Sequence, residues 1–299
     1  MVSGMERHPA FDRGRVAVIT GAAAGIGLAA ARRFRSFGMK VALCDTDVAE
    51  LESITRELGD ADSVLAIGAD VSQLGELERL RELTWQKLGP VSVLMNNAGT
   101  GLGGGAWERY DEWKRVLDVN LWGVINGVHA FVPRMLETGL DGLIINTGSK
   151  QGITCPPGNT PYNVSKAGVK VLSESLQHQL RNTPGCKLSA HLLVPGWTDT
   201  AINRKAARDR ARLGGAAGAP LAPAAPRPAG AWTAEQVVDY MLAGIAKGDF
   251  YILCPDNDVT VELDKKRIQW AAGDLIEGRP PLSRWHPEFA PLFDKFRAS

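Results

Sequence analysis

Apolar residues follow two alternating patterns along the chain. Short runs rich in β-branched residues predict strands at residues 15–20, 40–45, 64–70, 91–97, 142–149, 187–195 and 250–254. Several are apolar throughout (Val-Ala-Val-Ile from Val16, Val-Ala-Leu from Val41, Leu-Ile-Ile from Leu143), as strands covered on both faces must be. Between them lie stretches of helical periodicity, including 49–58, 77–88, 113–136 and 162–181. This alternation predicts right-handed βαβ units in an α/β fold: a Rossmann-type, doubly wound parallel sheet of about seven strands with helices on both faces. No internal repeat is visible.

The pattern breaks once. Residues 206–231 are rich in Ala, Pro and Gly, with Arg204, Lys205, Arg208, Arg210 and Arg212 at the front. A long loop in a compact domain is commonly a binding loop, so 200–231 reads as a lid or insertion over a substrate site; a flexible surface loop is the plainer alternative. The single domain then comprises a core of about 14–255 and a C-terminal extension at 256–299. In that extension a helical stretch to about Gly278 precedes an irregular tail with aromatic anchors, lying over its own site or a neighbour's.

Composition narrows the partners. The 299 residues carry 34 basic and 33 acidic side chains, a net charge of +1, so there is no global field to recruit nucleic acid or an anionic membrane. A small-molecule substrate is the better expectation. Cys44, Cys155, Cys186 and Cys254 form no Cys-x-x-Cys pair, which argues for reduced thiols in a cytoplasmic protein, and the five histidines show no metal-ligand spacing. Neither a signal-peptide core nor an apolar run of ~18 residues is present.

The 33 glycines are well placed. Thr20-Gly21-Ala22-Ala23-Ala24-Gly25-Ile26-Gly27 follows the first strand and opens a helix. Glycines there let the backbone approach a dinucleotide pyrophosphate, while the free N–H groups of the helix start face its charge. Asp45 ends the second strand, where a carboxylate accepts hydrogen bonds from the adenosine ribose. A 2′-phosphate ~4 Å away would meet roughly 4 kcal/mol of repulsion per unit charge at an effective dielectric of 20. No Lys or Arg stands at Thr46 or among Ala22 to Ala24, so NAD is expected rather than NADP. The alternative is that Asp45 merely caps the next helix, a task Asp47 could perform.

Tyr162 and Lys166 are i, i+4 neighbours on a predicted helix. An ammonium ~5 Å from a phenol of ordinary pKa ~10 stabilises the phenolate by roughly 3 kcal/mol, about two pKa units. The pair thus offers a proton acceptor that works near neutral pH. Tyr-x-x-x-Lys alone is common, but it has company: Ser149 with Gly152 after the fifth strand, Asn96-Asn97-Ala98-Gly99 closing the fourth, Asn120 in the following helix, and Pro195-Gly196 with Thr200 after the sixth.

In order and approximate spacing these residues resemble the short-chain dehydrogenase/reductase family, over about residues 15–254. The resemblance implies an oxidoreductase that transfers hydride between NAD and a secondary alcohol or ketone, as a homodimer or homotetramer. It implies Tyr162 as general acid/base, and Lys166 as the residue that lowers its pKa and bonds the nicotinamide ribose. Ser149 would orient the substrate oxygen, and Asn120 would hold a water linking Lys166 to solvent. Gly21, Ala23, Gly25, Ile26 and Gly27 would line the pyrophosphate. Asp70 and Val71 match adenine contacts, Asn97, Ala98 and Gly99 support the adenosine side, and Pro195, Gly196 and Thr198 face the nicotinamide, with Thr198 on its carboxamide.

Gln151, Cys155, Asn159 and Trp197 fall on stretches expected to line the substrate pocket, Cys155 as an inert wall. Lys150 departs from the pattern by placing an extra cation near the site or on its rim. Ala, Pro and Trp in these stretches suggest a bulky, apolar alcohol. Three alternatives stand beside this reading: a non-catalytic dinucleotide sensor or scaffold, a 3-hydroxyacyl thioester dehydrogenase meeting the Arg204–Arg212 cluster, and a serine hydrolase. The last lacks a Gly-x-Ser-x-Gly elbow.

Overall fold

The computed structural model describes residues 7–101, 104–200 and 227–298. Most of the expected lid, together with Arg204, Lys205, Arg208, Arg210 and Arg212, lies outside these.

Seven strands form one sheet: β1 (Val16–Thr20), β2 (Lys40–Asp45), β3 (Val64–Gly68), β4 (Val91–Asn96), β5 (Gly142–Thr147), β6 (Leu188–Val194) and β7 (Tyr251–Leu253). Their order is β3-β2-β1-β4-β5-β6-β7 and every pairing is parallel. The predicted strands are all present; β2 has the expected bounds and the others are one or two residues shorter.

Two apolar layers explain the apolar runs. Ala17, Ile19, Val41, Leu43, Val93 and Met95 point to one face and pack with Ala30, Phe34, Leu51, Val237 and Met241. Val18, Ala42, Leu94 and Ile144 point to the other and pack with Leu77, Leu80, Phe131, Met135 and Leu176. The first helical layer comprises α1 (Gly25–Ser36), α2 (Val48–Leu58) and α8 (Ala234–Ala246); the second comprises α3 (Leu74–Lys87), α5 (Gly123–Glu137) and α7 (Thr160–Asn182).

One expected helix is two. The stretch read as 113–136 divides into α4 (Tyr110–Leu117) and α5, joined by a π-helical turn at Asp118–Trp122 in which Gly123 N–H bonds Asp118 O. Such turns insert a residue into the helical phase and often mark functional sites. Asn120 lies in it, wholly buried.

Beyond the sheet, α9 (Val261–Ile276) and α10 (Ala290–Ala298) form the C-terminal extension, so the tail is more helical than expected. Trp270 anchors it: its indole donates to Ser283 Oγ (2.8 Å), while Phe293, Phe296 and the Arg279 guanidinium surround its ring. The extension docks on its own subunit, with α9 packed against the short helix α6 (Gln151–Thr154) that follows Ser149.

Candidate active site

The strand order reverses between β1 and β4, and a parallel sheet binds ligands at the carboxyl ends of strands where this happens. The glycine turn stands there. Gly21 (φ +65°) and Gly25 (φ +57°) occupy the left-handed region that glycine adopts without strain. A Cβ on Gly21 would stand 2.7 Å from Ala98 Cα, and one on Gly27 would stand 2.2 Å from Gly21 O, so the turn closes only with glycine at both places. Ala24 offers no side-chain cap to α1, whose first turn holds no acidic residue. The helix start, with Gly25, Ile26 and Gly27, therefore presents open N–H groups and a positive dipole end to an anion. These features fit a pyrophosphate.

Asp45 Oδ2 accepts the Ala23 N–H (3.0 Å), fixing the turn against β2. The helix-cap alternative falls, because Asp47 caps α2 by accepting from Glu50 N (3.1 Å). Asp70 and Val71 lie together after β3: Asp70 Oδ1 accepts from Ser72 N (2.9 Å), and Val71 O accepts from Asn126 Nδ2 (2.9 Å). Thr200 approaches the turn from the other side, with its side chain 3.4 Å from a Cβ built on Gly25.

A hydrogen-bond route runs from this turn to the titratable pair. Asn97 Nδ2 donates to Thr20 O (3.1 Å) and Gly21 O (3.3 Å), and Thr147 Oγ1 donates to Asn97 Oδ1 (3.3 Å). The Thr147 carbonyl in turn accepts from Lys166 Nζ (2.8 Å). Thr20 Oγ1 accepts from both Asn97 N (2.9 Å) and Ala98 N (3.1 Å). In the sequence Thr20 is only the residue before the glycines; its position at a strand end facing an Asn-Asn-Ala-Gly run is the available signal.

Tyr162 and Ser149 share a side-chain hydrogen bond, and Ser149 Oγ also accepts from Gln151 N (3.2 Å). Lys166 Nζ lies 5.7 Å from the Tyr162 ring centre. The acid–base balance differs from the expectation from spacing alone. Although Tyr162 keeps part of its ring at the cleft surface, the surrounding protein desolvates its hydroxyl and pushes its pKa up, the Ser149 hydrogen bond offsetting this only in part. Burial brings Lys166 down to about 8. Among the chain's own groups, desolvation thus outweighs the ammonium's pull on the phenol.

Asn120 spends both amide hydrogens, on Thr100 O (2.8 Å) and Ser165 Oγ (3.1 Å), and accepts from Thr100 N (2.7 Å). Its side chain staples the loop after β4 to α7. Gly101, which sequence reasoning missed, lies against the Tyr162 ring: a Cβ there would come within 3.2 Å of it.

Among the residues expected to line the substrate pocket, Gln151 Oε1 accepts from Asn159 Nδ2 (3.0 Å), joining the two ends of the loop before α7. Cys155 lines an apolar cleft of about 190 Å³ with Pro156, Val164 and Leu282 of the extension, and burial raises its thiol pKa. Trp197 is half exposed beside Gly230. Thr198 is buried and donates to Gly196 O (3.1 Å) just after Pro195. Lys150 does not stand free on the rim, since it is paired with Asp256 and Asp264. No group of metal-ligating side chains and no helix long and apolar enough to cross a membrane occurs among the described residues.

A doubly wound sheet with a phosphate-shaped turn and an apposed Ser/Tyr/Lys set defines a class of oxidoreductases. The family model for short chain dehydrogenase matches residues 15–211, and the chain belongs to that family. It is 36% identical over 190 residues to 1-deoxy-11-beta-hydroxypentalenate dehydrogenase of Streptomyces exfoliatus, covering 62% of this chain and 68% of the relative. A short chain dehydrogenase/reductase from Burkholderia phymatum, solved with NAD, is 33% identical with a TM-score of 0.77, covering 91% of this chain and 97% of that one. An alcohol dehydrogenase from the archaeon Thermococcus sibiricus, complexed with 5-hydroxy-NADP, is 26% identical with a TM-score of 0.65, covering 77% and 90%.

Proposed function

We propose that this oxidoreductase interconverts a bulky, apolar secondary alcohol and its ketone with NAD as hydride carrier. The observation that supports this most directly is the continuous hydrogen-bonded arrangement from the glycine turn through Asn97 and Thr147 to Lys166, with Tyr162 and Ser149 alongside. The bound dinucleotide would supply the hydride acceptor and, when oxidised, a positive charge near the phenol.

The chain's residues do the rest. Ser149 Oγ orients the substrate hydroxyl, and Tyr162 Oη takes its proton as the carbinol hydrogen leaves with its electron pair. Lys166 holds the ribose and, with its carbonyl anchor at Thr147, keeps an ammonium beside the phenol. The Asn120 carbonyl holds the water that passes the proton onward. Gly21, Ala23, Gly25, Ile26 and Gly27 bind the pyrophosphate, Asp70, Val71, Asn97, Ala98 and Gly99 the adenosine side, and Pro195, Gly196 and Thr198 the nicotinamide. Gln151, Cys155, Asn159 and Trp197 wall the substrate.

Asp45 supports NAD over NADP, since its carboxylate would repel a 2′-phosphate. The test is turnover of a panel of secondary alcohols with either cofactor, followed by absorbance of the reduced form. NAD should exceed NADP in kcat/KM by about a hundredfold or more. Asp45→Asn, which keeps an oxygen for the Ala23 N–H but no charge, should narrow that gap. Tight NAD binding without turnover across the panel would favour a sensor, and a preference for NADP would overturn the cofactor assignment. The four free cysteines support a reducing compartment, the cytoplasm. Exposed Trp122 and Val171 support a homodimer or homotetramer, which light scattering of the purified chain reads directly; a monomer would contradict it.

A further inference from the structure

Lys150, the residue after Ser149, lies at the meeting point of three segments far apart in sequence. Its ammonium is 2.5 Å from Asp264 Oδ2 on α9 and 3.3 Å from Asp256 Oδ2 on the loop after β7. Asp256 Oδ2 also accepts the Trp197 N–H (3.0 Å). Gly196 admits no side chain at this junction: a Cβ would stand 2.8 Å from Asp256 Oδ2 and 2.9 Å from Lys150 Nζ. Arg267 Nη1, one turn along α9, reaches Asp264 Oδ1 at 3.4 Å. Lys150 and Arg267 thus face Asp256 and Asp264 in one cluster, and the partly buried Arg284 guanidinium interacts electrostatically with both Asp264 and Arg267. The Lys150 side chain is only 16% exposed and each aspartate 5%, so water screens these charges little.

A surface ion pair costs little to break, but removing one member of a buried cluster leaves a desolvated charge unbalanced. The elements this cluster joins are the Ser149 turn, the Gly196–Trp197 turn and the first helix of the C-terminal extension. We infer that Lys150 is a positioning residue, clamping α9 onto its own subunit's Ser149 turn and so setting the substrate-side wall of the site. The kinetic part of this inference rests on the proposed alcohol oxidation; the clamp itself does not.

The test uses the full chain with Lys150→Met, Asp264→Asn and, as a control, Lys170→Met, which breaks the more exposed Lys170–Glu174 pair. Amide hydrogen exchange over 261–276 should speed up about tenfold or more in both cluster variants and stay unchanged in the control. The alcohol KM should rise about fivefold or more, while the Kd for NAD and kcat remain within about threefold. Unaltered exchange in both cluster variants would overturn the clamp. Faster exchange with an unaltered alcohol KM would reduce the cluster to a stability element and overturn the positioning role. If Lys150→Met fails to fold, the near-isosteric Asp264→Asn decides alone. If the unmodified chain turns over no alcohol, the proposed function falls and the exchange measurement still decides the clamp.

Discussion

Tyr162 and Lys166 respond to burial in opposite directions, because one gains charge on losing a proton and the other loses it. Tyr162 is held up and Lys166 is brought down to about 8 from 10.5. Between those two lysine values the unfolded chain binds more protons than the folded one, so this group adds stability as pH rises from about 8 towards 10.5. Below about 8 both states are protonated and the full desolvation cost stands. Wild type should therefore gain about 2 kcal/mol on Lys166→Met between about pH 7.5 and 9.5 in urea unfolding. A gap that stays flat or shrinks over that interval would contradict the burial account. Spacing placed Tyr162 and Lys166 on one helical face, but the depth of their burial depends on β5 and the Gly101 loop, which i, i+4 arithmetic does not contain.

At the level of elements, the two glycine environments of α1 and α3 make a matched experiment. Gly27→Ala drives a methyl into Gly21 O and displaces the turn. It should cost about 1–3 kcal/mol and weaken NAD binding sharply, read by chemical unfolding and cofactor titration. Gly75 in α3 has open space around it, so Gly75→Ala should be neutral or stabilise by up to about 1 kcal/mol. Equal tolerance at both positions would contradict the close packing of the turn. The strands and α1 were legible because apolar runs and a glycine turn are local signals. The division at Asp118–Trp122 was not, because apolar residues continue through it and a single inserted residue is invisible to a pattern tolerant of one-residue shifts. Asn120 stands out in the sequence only by its place in the helix after the fourth strand; its partners Thr100 and Ser165 reveal that its side chain is a staple.

Across the whole molecule, the alternation of strands and helices was enough to foresee a parallel seven-stranded sheet, since few topologies satisfy right-handed crossovers. Pairings over long sequence separation were not foreseeable. Lys150 reads locally as a loose cation beside Ser149, yet its partners Asp256 and Asp264 lie more than a hundred residues away, and only the folded chain shows that the extension covers its own subunit. These features serve one end, a phenol held beside a dinucleotide cradle at the point where the strand order reverses. The most direct test is Tyr162→Phe, assayed for NAD-dependent oxidation of the best alcohol alongside NAD binding by fluorescence. The account predicts that kcat falls about a hundredfold to ten-thousandfold while the Kd for NAD stays within about threefold. A variant that oxidises the alcohol at the wild-type rate would contradict it.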